Sequence, residues 1–148
     1  MKDYWGPKAW CLLHQITYHY PENPTQRDKV AFSMFFNRVV PWIIPCRKCR
    51  MHYFQHLTNR PIHLSLKNRH KLTKWMVDIH NSVNVKTGKR IHFSLKQSDK
   101  KYQYQNNQSE IIKFLLYLKQ RVHYGQINLL AYNQLVVFLQ RVFPFSVH

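Results

Sequence analysis

Apolar side chains in this chain recur at spacings of three and four, the period of helices with one buried face. Between Trp5 and Tyr20 the residues Trp10, Leu13, Ile16, Thr17 and Tyr20 share a stripe, and Pro21 ends it. The segment Pro21-Glu22-Asn23-Pro24-Thr25 reads as a turn, with Thr25 as N-cap of a second helix carrying Val30, Phe32, Met34, Phe35, Val39 and Val40. That helix is expected to end between Pro41 and Pro45. A third helix is predicted from the Cys46 region to about Leu57, broken by Asn59-Arg60-Pro61. A fourth runs from about Leu66 to Lys86 on Leu72, Trp75, Met76, Ile79 and Val83, with Gly88 as its stop. Ile91 to Tyr102 is read as a short fifth helix, and residues 103–108 as a polar linker. Two more striped segments follow, Glu110–His123 and Asn128–Val142, separated around Gly125. Strand-type alternation is scarce, and neither an internal repeat nor a heptad pattern is present. The predicted fold is all-α: a helical bundle with a helical C-terminal extension.

Composition narrows this reading. The 148 residues suit one core, and 45% hydrophobic with 15% aromatic residues are enough to fill it. No apolar run approaches the eighteen or so residues of a membrane span. The opening Met1–Pro7 has no signal-peptide character, so the chain is expected to be soluble and cytoplasmic. The formal charge is +17, from 23 Lys and Arg against 6 Asp and Glu. Such a field attracts nucleic acid, acidic proteins and cofactor phosphates alike and selects none of them. A basic, non-enzymatic binding module with structural cysteines is therefore the alternative reading.

The three cysteines are Cys11, Cys46 and Cys49. An odd count in a chain without a secretion signal is no disulfide framework. Cys46-Arg47-Lys48-Cys49 follows Pro45 at an expected helix N-terminus, where unpaired N–H groups and partial positive charge stabilise a thiolate. Arg47, Lys48, Arg50 and His52 add cationic charge, and the spacing of three lets two sulfurs meet across one turn. Zinc is the competing reading, with Cys46, Cys49, His52 and His56 as nominal ligands. On one helix the first and last would be separated by roughly 15 Å of rise, too far to converge on one ion. No metal is expected. Cys11, beside Trp10, reads as a small buried hydrophobe.

Three separated motifs occur in order. They are Trp5-Gly6-x3-Trp10-x2-Leu13-His14 with Tyr18 and Tyr20-Pro21, then Pro45-Cys46-x2-Cys49, then Trp75-x4-His80-Asn81-x-Val83-Asn84-x3-Gly88-Lys89. Together they resemble the Erv/ALR family of FAD-linked sulfhydryl oxidases over roughly residues 4 to 103. The resemblance implies a four-helix bundle with a short fifth helix that holds FAD between its helices. It divides the chain into an oxidase domain, residues 1–103, and an extension, residues 104–148, packed on the core or at a dimer interface.

By that likeness Cys46 and Cys49 are catalytic, Cys49 lying nearest the flavin and Cys46 meeting the incoming thiol. Gly6, Trp10, His14 and Tyr18 would line the cofactor from the first helix. His80, Asn81, Val83, Asn84, Lys86 and Lys89 would hold its remainder from the fourth. Trp75 is open between core packing and flavin contact. His80, Val83, Asn84 and Thr87 fall on one helical face, and Lys86 and Lys89 can neutralise a pyrophosphate. The implied partners are a thiol-containing protein or small dithiol shuttle, molecular oxygen and a second copy of the chain in a homodimer. Pro7 stands where many family members have Arg, and neither a second Cys-x-x-Cys nor a further structural pair is present. Such short forms resemble those of large cytoplasmic DNA viruses, which implies a location in host cytoplasm or virion.

Overall fold

Local signals start most of the helices in the computed structural model of the chain, which describes residues 2–104 and 108–143. The helices are α1 (Lys2–Tyr18), α2 (Gln26–Met34), α3 (Val40–Ile43), α4 (Arg47–Asn59), α5 (Arg69–Lys86), α6 (Leu95–Tyr102), α7 (Gln108–His123) and α8 (Leu129–Val142). Thr25 caps α2 in a reciprocal box with Asp28, as its position after the turn predicts. Asn68 and Asn128 cap α5 and α8 through their side-chain oxygens.

The fifth helix starts later than its apolar pattern suggests. Ser94 and Gln97 close a capping box that delays α6 to Leu95. The preceding segment is held instead by α5. Asn81 Nδ2 donates to the Phe93 carbonyl at 2.7 Å, and its Oδ1 accepts from the Phe93 amide at 2.8 Å.

Between α2 and α3 the chain widens into a π-helical turn, Phe35–Val39. The Val40 amide reaches back to the Phe35 carbonyl, one residue beyond the α-helical partner. The cause is local: Pro41 has no N–H to continue the ladder, and its ring crowds the preceding turn. The rings of Phe35 and Phe36 are buried there, and Tyr53 on α4 donates its hydroxyl to the Phe36 carbonyl at 2.7 Å.

In the bundle α1 and α4 both pack on α5, and α6 packs on α1 and α5. The last two helices join the same core. α7 packs on α1 and on α8, and α8 packs on the π turn and α3. Phe114, Leu118, Leu135 and Phe138 belong to one buried cluster with Leu12, Ile16, Phe35 and Ile79. Among the described residues no helix is long and apolar enough to cross a membrane.

Among the described residues, five carboxylates are used internally. Glu22 pairs with Arg69, Asp28 with Arg141, Asp78 with Lys74, and Glu110 with both Lys8 and Lys113. Asp99 accepts from the Tyr18 hydroxyl. The surplus cations are left to the surface, so the positive field of the composition is also the field of the folded chain.

Candidate functional site

A short extended segment after α3 delivers Cys46 to the start of α4, where it is the N-cap residue. The Cys49 amide donates to Cys46 Sγ at 3.3 Å, so sulfur takes the place of the oxygen that Ser, Thr or Asp would offer there. Both cysteines are half-buried. The negative form of a sulfur so placed is favoured by the unpaired amides of the first turn and the positive end of the helix.

The surroundings lock this turn. Arg50 donates from Nε to the Pro41 carbonyl and from Nη2 to the Ile44 carbonyl, each at 2.8 Å. Its guanidinium lies 4.7 Å from the centre of the Trp42 ring. Trp5 donates its indole N–H to the Ile43 carbonyl at 3.2 Å. Arg50 therefore ties the end of α3 to α4 in addition to the positive charge it brings to this turn. Arg47 and Lys48, both exposed, are the cations free to face an approaching anion. Arg50→Lys is expected to cost about 1.5–3 kcal/mol in chemical denaturation, because an ammonium cannot span both carbonyls.

His52 and His56 continue along α4. Burial, with the charges of His52, Arg60 and Lys86 behind it, holds His56 below the ordinary histidine range. Among the described residues no three His, Cys, Asp or Glu side chains gather as metal ligands.

A second centre lies between α1, α5 and α6. The Trp10 ring stacks on His80 at 3.9 Å between centroids, and the His14 ring stacks on Tyr102 at 4.7 Å. His14 Nε2 and His80 Nδ1 are 2.9 Å apart and share a hydrogen bond. His14 is fully buried, and its Nδ1 has no hydrogen-bond partner. Tyr18 donates to Asp99 at 2.6 Å and meets the Ser98 hydroxyl at 2.9 Å.

The structure thus brings Trp10, His14 and His80 into one cluster and places Tyr18 one turn further along α1. It also recruits Tyr102 and Phe93, which the sequence reading did not single out. The Ser94–Gln97 capping box, legible in the sequence, marks the start of the helix that carries Tyr102.

The other predicted residues divide. Asn81 and Asn84 spend their amides on the 91–93 segment, Asn84 donating to the Ile91 carbonyl at 3.3 Å. Val83 is half-buried on the same helix, while Lys86 and Lys89 are exposed at its end. Gly88, at φ 76°, lets the Lys89 amide turn back to the Asn84 carbonyl at 2.9 Å. Thr87 returns its hydroxyl proton to the Val83 carbonyl. A Cβ on Gly6 would meet nothing within 4 Å, so no protein neighbour demands glycine there. Trp75 is 3% exposed, set edge-on to Phe36 with its indole bonded to the Arg60 carbonyl, and is core.

Burial, then the charges of Lys89 and Lys101, pull the His80 pKa down to about 4. Burial, then His80 and Lys101, hold His14 well below its usual range. Both rings are neutral near pH 7. Below about pH 6.5 the unfolded chain protonates these two residues and the folded chain keeps them neutral, so unfolding takes up protons. Stability is therefore expected to fall as pH drops from 6.5 toward 4, and His80→Phe to flatten that slope in thermal melts.

The fold and the turn define a small helical bundle that presents a cysteine pair at the N-terminus of α4 and holds a histidine and aromatic cluster between α1, α5 and α6. Residues 7–105 match the Erv1 / Alr family, and the chain belongs to it. A probable FAD-linked sulfhydryl oxidase of Acanthamoeba polyphaga mimivirus is 41% identical over 90 residues, covering 60% of this chain and 62% of the relative. An FAD-linked sulfhydryl oxidase of African swine fever virus is 34% identical over 89 residues, covering 60% of this chain and 71% of that one. Among solved structures, the yeast Erv1 core matches with a TM-score of 0.60 at 27% identity, covering 68% of this chain and 83% of its own. The FAD binding domain of Erv1 from Saccharomyces cerevisiae matches at 0.60 with 28% identity, covering 66% and 90%. Helices α7 and α8 lie beyond the family match.

Proposed function

We propose that this chain is an FAD-dependent sulfhydryl oxidase that makes disulfides in protein dithiols and reduces molecular oxygen to hydrogen peroxide. The observation that carries the reading is the Cys46 sulfur capping α4 through the Cys49 amide. A pair spaced in this way closes and opens as a disulfide within one turn. In the oxidised pair, a substrate thiolate attacks Cys46 and forms a new S–S bond, while Cys49 leaves as a thiolate at the helix N-terminus. The second substrate thiol then attacks the mixed disulfide, its own disulfide closes, and Cys46 is released reduced.

The residues present fit a flavin dinucleotide. The Trp10–His80 and His14–Tyr102 stacks provide flat aromatic walls, and His14 Nδ1 is a buried polar atom still seeking a partner. Gly6 leaves room for close approach along α1, and Lys86 and Lys89 supply charge for a pyrophosphate. When bound, FAD supplies a two-electron acceptor for the dithiol and reacts with oxygen. The protein's own contribution is to position the pair, exclude water and keep both histidines neutral.

The electron donor in this reading is a thiol protein or small dithiol shuttle, drawn by Arg47 and Lys48. A homodimer is part of the proposal. Its support is the apolar surface left on α7 and α8 by Leu116, Leu129, Leu130 and Val137, and sedimentation at graded concentrations tests it. Host cytoplasm or virion is the proposed location, supported by the viral relatives.

The deciding experiment is the visible spectrum of the purified protein with oxygen uptake on adding dithiothreitol. A flavin band that bleaches as oxygen is consumed supports the oxidase. A colourless protein that takes up no added FAD refutes it and favours the basic binding module.

A further inference from the structure

Only Ile44, Pro45 and Cys46 link α3 to α4, and Pro45 has no amide with which to fasten that link. Arg50 holds it at both ends. Its backbone amide donates to the Cys46 carbonyl at 2.9 Å, the first bond of α4. Its side chain reaches back to the Ile44 carbonyl at 2.8 Å, so the residues on either side of Pro45 are bonded to one partner.

The rest of the guanidinium is committed to the same place. Its Nε donates to the Pro41 carbonyl at 2.8 Å, where the backbone's own closing bond, from the Ile44 amide, is long at 3.4 Å. The Trp42 ring stands 4.7 Å from it and is 46% exposed. A guanidinium presents two donors on one rigid plane and meets both carbonyls at once, which the single point of an ammonium does not.

The Cys46 sulfur is carried by this link, whereas Cys49 belongs to the first turn of α4. How firmly residues 44–46 are held therefore sets how often the two sulfurs meet. A held Cys46 faces Cys49 at high effective concentration, and closing the disulfide then costs little chain entropy. With a loose link the dithiol gains freedom that the disulfide lacks, and the balance moves toward the dithiol. Charge acts in the opposite sense. A cation near the first turn favours a thiolate and so the reduced pair, and losing it moves the balance toward the disulfide. The two contributions thus differ in sign.

We propose that Arg50 is a positioning residue that sets the reduction equilibrium of the Cys46–Cys49 pair by holding the 44–46 link. The inference rests on the reading of that pair as a redox centre and adds the residue that tunes it. In the exchange with glutathione, the Cys46–Cys49 bond breaks and one S–S bond forms between two glutathione sulfurs. Two electrons and two protons pass from the glutathione thiols to the protein dithiol.

The test equilibrates the full chain, without oxygen, in graded mixtures of reduced and oxidised glutathione. Alkylation stops the exchange, and peptide mass reads the state of Cys46 and Cys49. Arg50→Lys keeps the charge and is expected to favour the dithiol about tenfold, a shift of about 30 mV in midpoint. Trp42→Leu keeps both the charge and the donors, at an exposed position that leaves the core intact. It is expected to shift the equilibrium about threefold in the same direction, and it decides the matter if Arg50→Lys does not fold. A midpoint unchanged in a variant with lower urea stability would mean that Arg50 only braces the fold, and would overturn the proposal. A shift toward the disulfide would overturn it too, as the sign of an altered charge. The equilibrium is read without flavin, so a colourless protein would sink the oxidase reading and leave this result standing.

Discussion

Cys49→Ser is expected to lower dithiol-dependent oxygen uptake by at least about a thousandfold, the scale on which losing one member of a catalytic unit acts. Helix α4 should survive the change, because the Cys49 contribution to the cap is its backbone amide. Serine leaves Cys46 able to exchange with substrate and removes its internal partner. A mixed disulfide on Cys46 should therefore accumulate with a disulfide-bonded substrate and be visible by non-reducing mass analysis. Cys46→Ser should be equally inactive and trap nothing at that position. Full turnover in Cys49→Ser would place the chemistry elsewhere in the chain and defeat the assignment.

Phe138→Ala should be the most destabilising of the single changes considered, at about 3–5 kcal/mol by urea unfolding. The Phe138 ring stacks on Phe35 at 4.1 Å and meets Phe32 edge-on at 5.1 Å. Removing it opens a cavity where α8 touches the π turn, a rigid place with little room to collapse. A loss below about 1 kcal/mol would mean that α8 does not pack there. The same turn feeds α3, whose end carries the Pro45–Cys46 segment, so a fall in oxidase turnover along with stability would tie the C-terminal helices to the redox pair.

These predictions rest on different layers of information. The place of Cys46 and Cys49 at the start of α4 was legible because a Cys-x-x-Cys after a proline, ahead of a helical stripe, is a local pattern. Phe138 was legible only as one apolar position in a striped segment, and the stripe does not say which surface it meets. The extension read equally well as a bundle layer or as a dimer contact. The structure packs α7 and α8 on the bundle while leaving Leu116, Leu129, Leu130 and Val137 exposed.

Arg50 shows the same division. Its charge is plain in the sequence, but its direction depends on two carbonyls at the end of α3 that only the completed turn presents. Asn81 and Asn84 stood in a motif read as ligand-facing, and their amides hold an irregular segment seven to twelve residues away. Tyr102 stacks on His14 from a helix whose start was predicted four residues too early.

By itself the sequence determined the helical class, most of the helix boundaries, the Cys46–Cys49 spacing at a helix start and the excess of positive charge. Each of these follows from interactions within a turn or two: capping oxygens, apolar period, proline and glycine stops. Tertiary structure decided the His14–His80 contact, the burial of Trp75 and the direction of Arg50. Those depend on which faces meet across tens of residues, and one helical stripe is compatible with many partners until the whole core is packed.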